Sequence, residues 1–127
     1  KIYFRDTGIL HNLLVLPDYL TIMGHPKAGA AWEGFALEQT LRMAGPGQAY
    51  FWATYNRAEL DLLLIRNGKR YGLEFKFNEA PAVSRSMRIA LEELGLEKLL
   101  IVYPGEDTYP ADEKIMVCPV GGVKEQL

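Results

Sequence analysis

Three charged residues interrupt two apolar runs in "AELDLLLIRNGKRYGLEFKF", residues 58–77: Asp61, Glu74 and Lys76. Between the runs stands Asn67-Gly68, a pair that tolerates positive φ at both positions and so predicts a two-residue type I′ hairpin. Counting outward from that turn sets Arg66 opposite Lys69, Ile65 opposite Arg70, Leu63 opposite Gly72 and Asp61 opposite Glu74. Directly opposed side chains sit roughly 4.5–5.5 Å apart at Cβ, and like charges there repel. A divalent cation between the two carboxylates reverses that sign, and hard oxygen donors suit magnesium or manganese. Lys76 lies two residues beyond Glu74, so strand alternation puts both on one face, with Leu73, Phe75 and Phe77 on the other.

The plainer alternative places Asp61 and Glu74 at an exposed sheet edge, with Lys76 paired across the hairpin to Glu59. A third acid bears on the choice. Residues 29–44, "GAAWEGFALEQTLRMA", read as a helix ended by Pro46 and Gly47. At ~100° per residue, Glu33 falls in the apolar arc of Leu37, Leu41 and Ala44. Glu38 falls on the far side with Arg42, as an i,i+4 surface pair. A carboxylate turned inward needs a partner: a backbone donor, a buried arginine or a shared metal.

These residues must be positioned by the elements around them. "KIYF" at residues 1–4 alternates like a short strand, and "TGILHNLLVL" reads as a short helix or turn. Thr21 to Ala28 reads as irregular. "AYFWATY" is an aromatic-rich strand, followed by the two strands of the hairpin. Residues 80–95 read as a second helix with Met87, Leu91 and Leu94 on one face and Gly95 as its stop. "EKLLIVYPG" is apolar throughout, as a strand buried on both faces is, and "KIMVCPV" is a last short strand. The first three strands can form an antiparallel meander, and the strand after the second helix can enter parallel through a crossover. The expected fold is α/β, a mixed central sheet flanked by helices.

The totals fit one domain over residues 1–127. The composition is 49% hydrophobic and 24% charged, with a net charge of −2, which supplies a core and speaks mildly against a strongly nucleic-acid-binding surface. One cysteine, Cys118, excludes an internal disulfide and fits a reducing, cytoplasmic setting. His11 and His25 have no cysteine cluster around them, which disfavours zinc. No apolar run approaches the ~20 residues of a membrane span. The opening lysine suggests a piece of a longer protein.

The pattern Glu33, then Asp61, then Glu74-x-Lys76 resembles the PD-(D/E)xK nuclease superfamily, whose restriction-endonuclease-like core is αβββαβ. The phrases "KIYFRDTGIL", "WEGFALEQ", "YFWAT", "AELDLLL", "YGLEFKF", "SMRIALEELGL" and "IVYPG" are similar to the C-terminal domain of unknown function of prokaryotic AAA-type ATPases. That resemblance implies an upstream ATPase and a winged helix on the same chain; no phosphate-binding loop occurs in these residues. It also implies metal-dependent phosphodiester hydrolysis. Asp61, Glu74 and the Phe75 carbonyl would hold Mg²⁺ or Mn²⁺, Glu33 would contribute directly or through a water, and Lys76 would orient the attacking water. DNA is the implied partner. A non-catalytic docking or regulatory module is the alternative.

Outside that pattern, Arg57, Arg66, Lys69, Arg70, Arg85 and Arg88 can touch a DNA backbone or form a solvated face. Tyr50, Phe51 and Trp52 read as core rather than as a base-stacking platform, and His25 as an exposed turn residue.

Overall fold

The computed structural model describes residues 4–45 and 47–127. In chain order the elements are α1 (Thr7–Leu13), α2 (Tyr19–Gly24), α3 (Ala28–Ala44), β1 (Gln48–Ala53), β2 (Glu59–Arg66), β3 (Lys69–Phe75), α4 (Arg85–Glu93), β4 (Lys98–Tyr103), β5 (Tyr109–Asp112), β6 (Ile115–Pro119) and α5 (Val123–Gln126). The expected α/β fold is present, with the order αβββαβ running from α3 to β4. The expected strand at residues 1–4 lies outside the described residues except for Phe4, which belongs to no strand.

All six strands form one mixed sheet in the order β1-β2-β3-β4-β6-β5. The first three are an antiparallel meander, β4 joins β3 in parallel, and β6 joins β4 in parallel. The hairpin register counted from Asn67-Gly68 holds from Arg66↔Lys69 through Leu62↔Leu73. Asn67 at φ 52 and Gly68 at φ 76 supply the two left-handed residues that a type I′ turn demands.

The sheet has two greasy faces. On one, Leu62, Leu64, Tyr71, Leu73, Phe75, Leu100 and Val102 pack under α3. On the other, Leu60, Leu63, Leu99, Ile101 and Val117 pack under Met87 and Ala90 of α4. Gly72 lets α4's layer come close: a Cβ there would stand 2.6 Å from Leu96 Cδ1. Leu73 is wholly buried. Leu73→Ala is expected to destabilise the fold by about 2–5 kcal/mol, read as a lower urea midpoint at unchanged slope.

Several local expectations are corrected. Thr21–Gly24 is helical, because Asp18 caps α2 by accepting from the Thr21 N–H at 2.8 Å. The second helix starts at Arg85 rather than near residue 80, with Ser84 as its cap. β5 went unforeseen because Pro110 breaks the strand pattern; at the sheet edge its missing N–H costs nothing. Tyr50 and Phe51 are half exposed, not core, because β1 is the other edge strand, while Trp52 packs against the α4 side.

Candidate functional site

The site begins with an irregularity in β2. Tyr50 pairs with Leu63 and Trp52 with Leu60, so β2 carries one residue more than β1 over this stretch. Such a bulge re-aims side chains and breaks regular pairing. Here it falls at Asp61-Leu62. Leu60 and Leu63 consequently pack on the α4 face while Leu62 and Leu64 pack on the α3 face. The Asp61 carboxylate turns to its neighbour strand, where its Oδ2 accepts the Phe75 N–H at 3.1 Å.

Glu74 precedes Phe75 and projects from the opposite face to Leu73 and Phe75. Asp61 and Glu74 are 5% and 4% exposed, so the edge reading of these acids is excluded. The Lys76 ammonium stands 3.2 Å from Glu74 Oε2; its ion partner is its strand neighbour, where the plainer alternative had named Glu59. Burial first, and then the charge of Asp61 together with the hydrogen bond between the two carboxyl groups, push Glu74 up to about 8, against a smaller opposing pull from Lys76. Two buried carboxyl groups and the Lys76 ammonium therefore share one corner.

The acid is consequently a pH sensor of stability. Glu74 ionises near 4.5 when unfolded and near 8 in the fold. Between those values the unfolded chain gives up a proton that the folded chain retains, so stability falls as pH rises from about 5 to about 8 and then levels off. The lowered carboxyl groups of Asp18, Glu97 and Asp112 act below this window, and burial of Cys118 acts above it. Melting curves in metal-free buffer from pH 5 to 9 should show this decline, and Glu74→Gln should flatten it.

Glu33 lies in the second turn of α3. The preceding residue, Trp32, packs on Phe77 with ring centroids 5.9 Å apart, which holds the start of α3 against the end of β3. Glu33 itself is half-buried. Among the described residues, no three Asp, Glu, His or Cys side chains form a group able to hold a metal ion, so Glu33 does not join Asp61 and Glu74 in such a cage. The physical reason is layering: α3 covers the sheet face opposite to the one from which Glu74 projects. Glu38, expected in solvent beside Arg42, is the more buried acid and pairs with Arg5 at 3.5 Å. A single apolar arc misplaces it because α3 is packed by α1, α2, α5 and β3 on several sides.

The basic residues divide. Arg66, Lys69 and Arg70 flank the hairpin turn, at the far end of the strands from Asp61. Lys69 is bound to Glu97 at 2.7 Å, Arg70 donates to the Leu94 carbonyl at 2.9 Å, and Arg88 pairs with Asp112. Arg57 and Arg85 instead line one notch of about 260 Å³ with Asn56 and Ser86. Arg57 is held at φ 64, in the left-handed region, at a cost of about 1–3 kcal/mol for a residue with a Cβ.

Compared with known families, residues 28–122 match the model described as "Domain of unknown function (DUF4143)". The chain belongs to this family. The match takes in α3 and the whole sheet, hence every residue of the corner. The DUF4143 chain is also 48% identical over 119 residues to an uncharacterised protein of Mycobacterium tuberculosis and to one of Mycobacterium bovis. The aligned region is 94% of this chain but 27% of each relative, so the chain spans about a quarter of the curated relatives it matches. No solved structure matches it. No helix among the described residues of this DUF4143 domain is long and apolar enough to cross a membrane.

Proposed function

We propose that the Asp61–Glu74–Lys76 corner binds a divalent cation, Mg²⁺ or Mn²⁺, and that the domain is a metal-dependent nuclease-like module. It acts on, or binds, the phosphodiester backbone of DNA. The observation that carries this reading is a pair of buried carboxyl groups in contact with each other and with the Lys76 ammonium, Glu74 being pushed up by burial and by Asp61. The donor set fits a hard cation: magnesium is commonly held by one or two carboxylates with water and substrate oxygens completing its shell.

In this reading Asp61, Glu74 and the Phe75 carbonyl would hold the ion, and Glu33 would reach it only through water. A bound ion would supply Lewis acidity and a lowered water pKa. The chain's own residues do the rest. The bulge fixes Asp61, and its acceptance from Phe75 N–H fixes the backbone whose carbonyl is offered. Lys76, partly exposed beside Glu74, would present its ammonium to phosphate oxygens and to the attacking water. In this reading the domain forms part of a longer cytoplasmic chain with an ATPase and a winged helix; that it covers only 27% of each relative supports the longer chain. The test is nicking of supercoiled or branched DNA with Mg²⁺ or Mn²⁺, repeated with Lys76→Ala.

A second reading, a non-catalytic docking module, is favoured by one observation. Leu13, Val15, Tyr19 and Leu20 of the α1–α2 region are each more than 60% exposed, with Val15 at 81% and Leu20 at 80%. Unpartnered apolar side chains in such number mark an interaction surface. Absence of cleavage by wild-type protein, with the metal bound, selects this reading.

A further inference from the structure

The ends of β3 and β4 open onto a trough lined by none of the acidic corner's residues. The two strands are parallel neighbours, and open α/β sheets bind ligands in the crevice beyond the carboxyl ends of such strands. Phe77 and Glu79 follow β3, and Pro104 to Asp107 follow β4. With Tyr19 and Met23 of α2 and Trp32 of α3, they line a cavity of about 750 Å³. A second cavity, of about 230 Å³, shares Tyr19, Met23, Trp32 and Phe77 with the first and continues along Ile22 and Phe35. The walls are fixed by contacts of their own. Trp32 lies against Phe77. The Tyr103 hydroxyl donates to the Asp107 carbonyl at 3.0 Å and accepts the Asp107 N–H at 3.1 Å. The loop closes so tightly on that ring that a Cβ on Gly105 would stand 2.2 Å from Tyr103 Cε2.

The two ends of this trough differ in charge. Glu79, Glu106 and Asp107 stand exposed at the strand end, where no lysine or arginine joins the lining. Among the described residues, the ion pairs engage Glu38, Glu74, Glu97 and Asp112 and none of these three acids. The helix end carries no carboxylate and is lined by aromatic and aliphatic side chains. An occupant that complements both ends is cationic at one and apolar at the other. The acidic rim repels a phosphate backbone, so nucleic acid does not fit it. An ammonium, by contrast, gains from the carboxylates and from the aromatic faces. We propose that the trough docks a lysine-bearing amphipathic segment from the remainder of the longer chain. Its lysines meet Glu79, Glu106 and Asp107, and its apolar side chains cover Trp32, Phe77 and Tyr19. The aligned region is only 27% of each relative, so the greater part of such a chain is available to supply the segment. Tethering presents it at an effective concentration of about millimolar, where a modest groove suffices. This source rests on the longer chain proposed above. The groove goes beyond the docking reading, which fixed no occupant, and stands whether or not the corner cleaves DNA.

The experiment treats the full-length chain, in metal-free buffer, with a zero-length carbodiimide, which joins a carboxylate to a lysine only where the two touch. Mass spectrometry then reads the joined pairs. The expected products link Glu79, Glu106 or Asp107 to lysines outside residues 1–127 within one molecule. Tyr19→Lys sets a like charge in the trough at an exposed position and should lower their yield about tenfold, because like charges brought together in an interface repel. Glu106→Lys, also exposed, should lower the yield at Glu79 and Asp107 in the same way. Both variants should melt as wild type does. Rim carboxylates that join no outside lysine would overturn the proposal. So would links confined to lysines within residues 1–127, or yields unchanged in both variants, which would put the contact outside the trough. Links found only between two molecules would assign the groove to a second copy and overturn the intramolecular source. Cleavage of DNA by the same preparation, or its absence, decides between the two readings of the corner and alters none of these outcomes.

Discussion

Millimolar Mg²⁺ or Mn²⁺ should raise the melting temperature of the wild-type domain at pH 8, and Asp61→Asn should abolish that rise. At a concentration a hundred times the dissociation constant, a ligand specific for the folded state adds about 2.7 kcal/mol. For a domain of this size that is a shift on the order of 10 °C. The effect should be larger at pH 8 than at pH 6, because at the lower pH Glu74 holds its proton in competition with the ion. Asp61→Asn retains an acceptor for the Phe75 N–H and removes only charge. Without metal it should therefore stabilise the fold at pH 8 by relieving the repulsion that raises Glu74. A variant that melts higher than wild type in EDTA and lower in Mg²⁺ is a signature no generic packing change produces.

The second large effect concerns Lys76. If the domain cleaves DNA, Lys76→Ala should reduce the rate by at least about 10²-fold, the scale seen when a positioned charge-stabilising donor is removed. The fold should survive, because the Lys76 side chain is 42% exposed and contributes no core packing. In metal-free buffer the variant should show a stronger fall in stability with rising pH, since Glu74 loses its one compensating charge. Nicking that persists undiminished in Lys76→Ala would assign the activity elsewhere.

Much of the frame was legible because its signals are local. Asn67-Gly68 fixed the hairpin register, since its two left-handed residues admit one turn type and the count follows. The αβββαβ order came from helix and strand periodicities with clear stops. The facing of Asp61 and Glu74 followed from the same count, whereas the choice between a shared corner and an exposed edge stayed open until their burial was seen. What was not legible depends on contacts between layers. The β2 bulge is invisible in "LDLLLI", where continuous apolar residues mask a change of face. Glu38 was misplaced because a projection assumes one buried side, whereas α3 is covered on several. Tyr50 and Phe51 were read as core because composition does not reveal which strand ends at an edge.

The same logic explains why Glu33 completes no cage with the two carboxyl groups. Trp32 on Phe77 sets the helix turn at the right end of β3, but Glu74 leaves the strand toward α4. Two carboxylates and a lysine, with a third acid one layer away, suit a cation that keeps part of its water shell better than one wrapped by protein.

The most direct measurement is a Mn²⁺ titration followed by electron paramagnetic resonance at pH 8, which counts free ion. The account predicts one bound Mn²⁺ per chain in wild type at millimolar concentration, and none in the Asp61→Asn/Glu74→Gln double variant. Wild-type protein that leaves all the manganese free, or a double variant that binds it as well as wild type, would contradict the account at its centre.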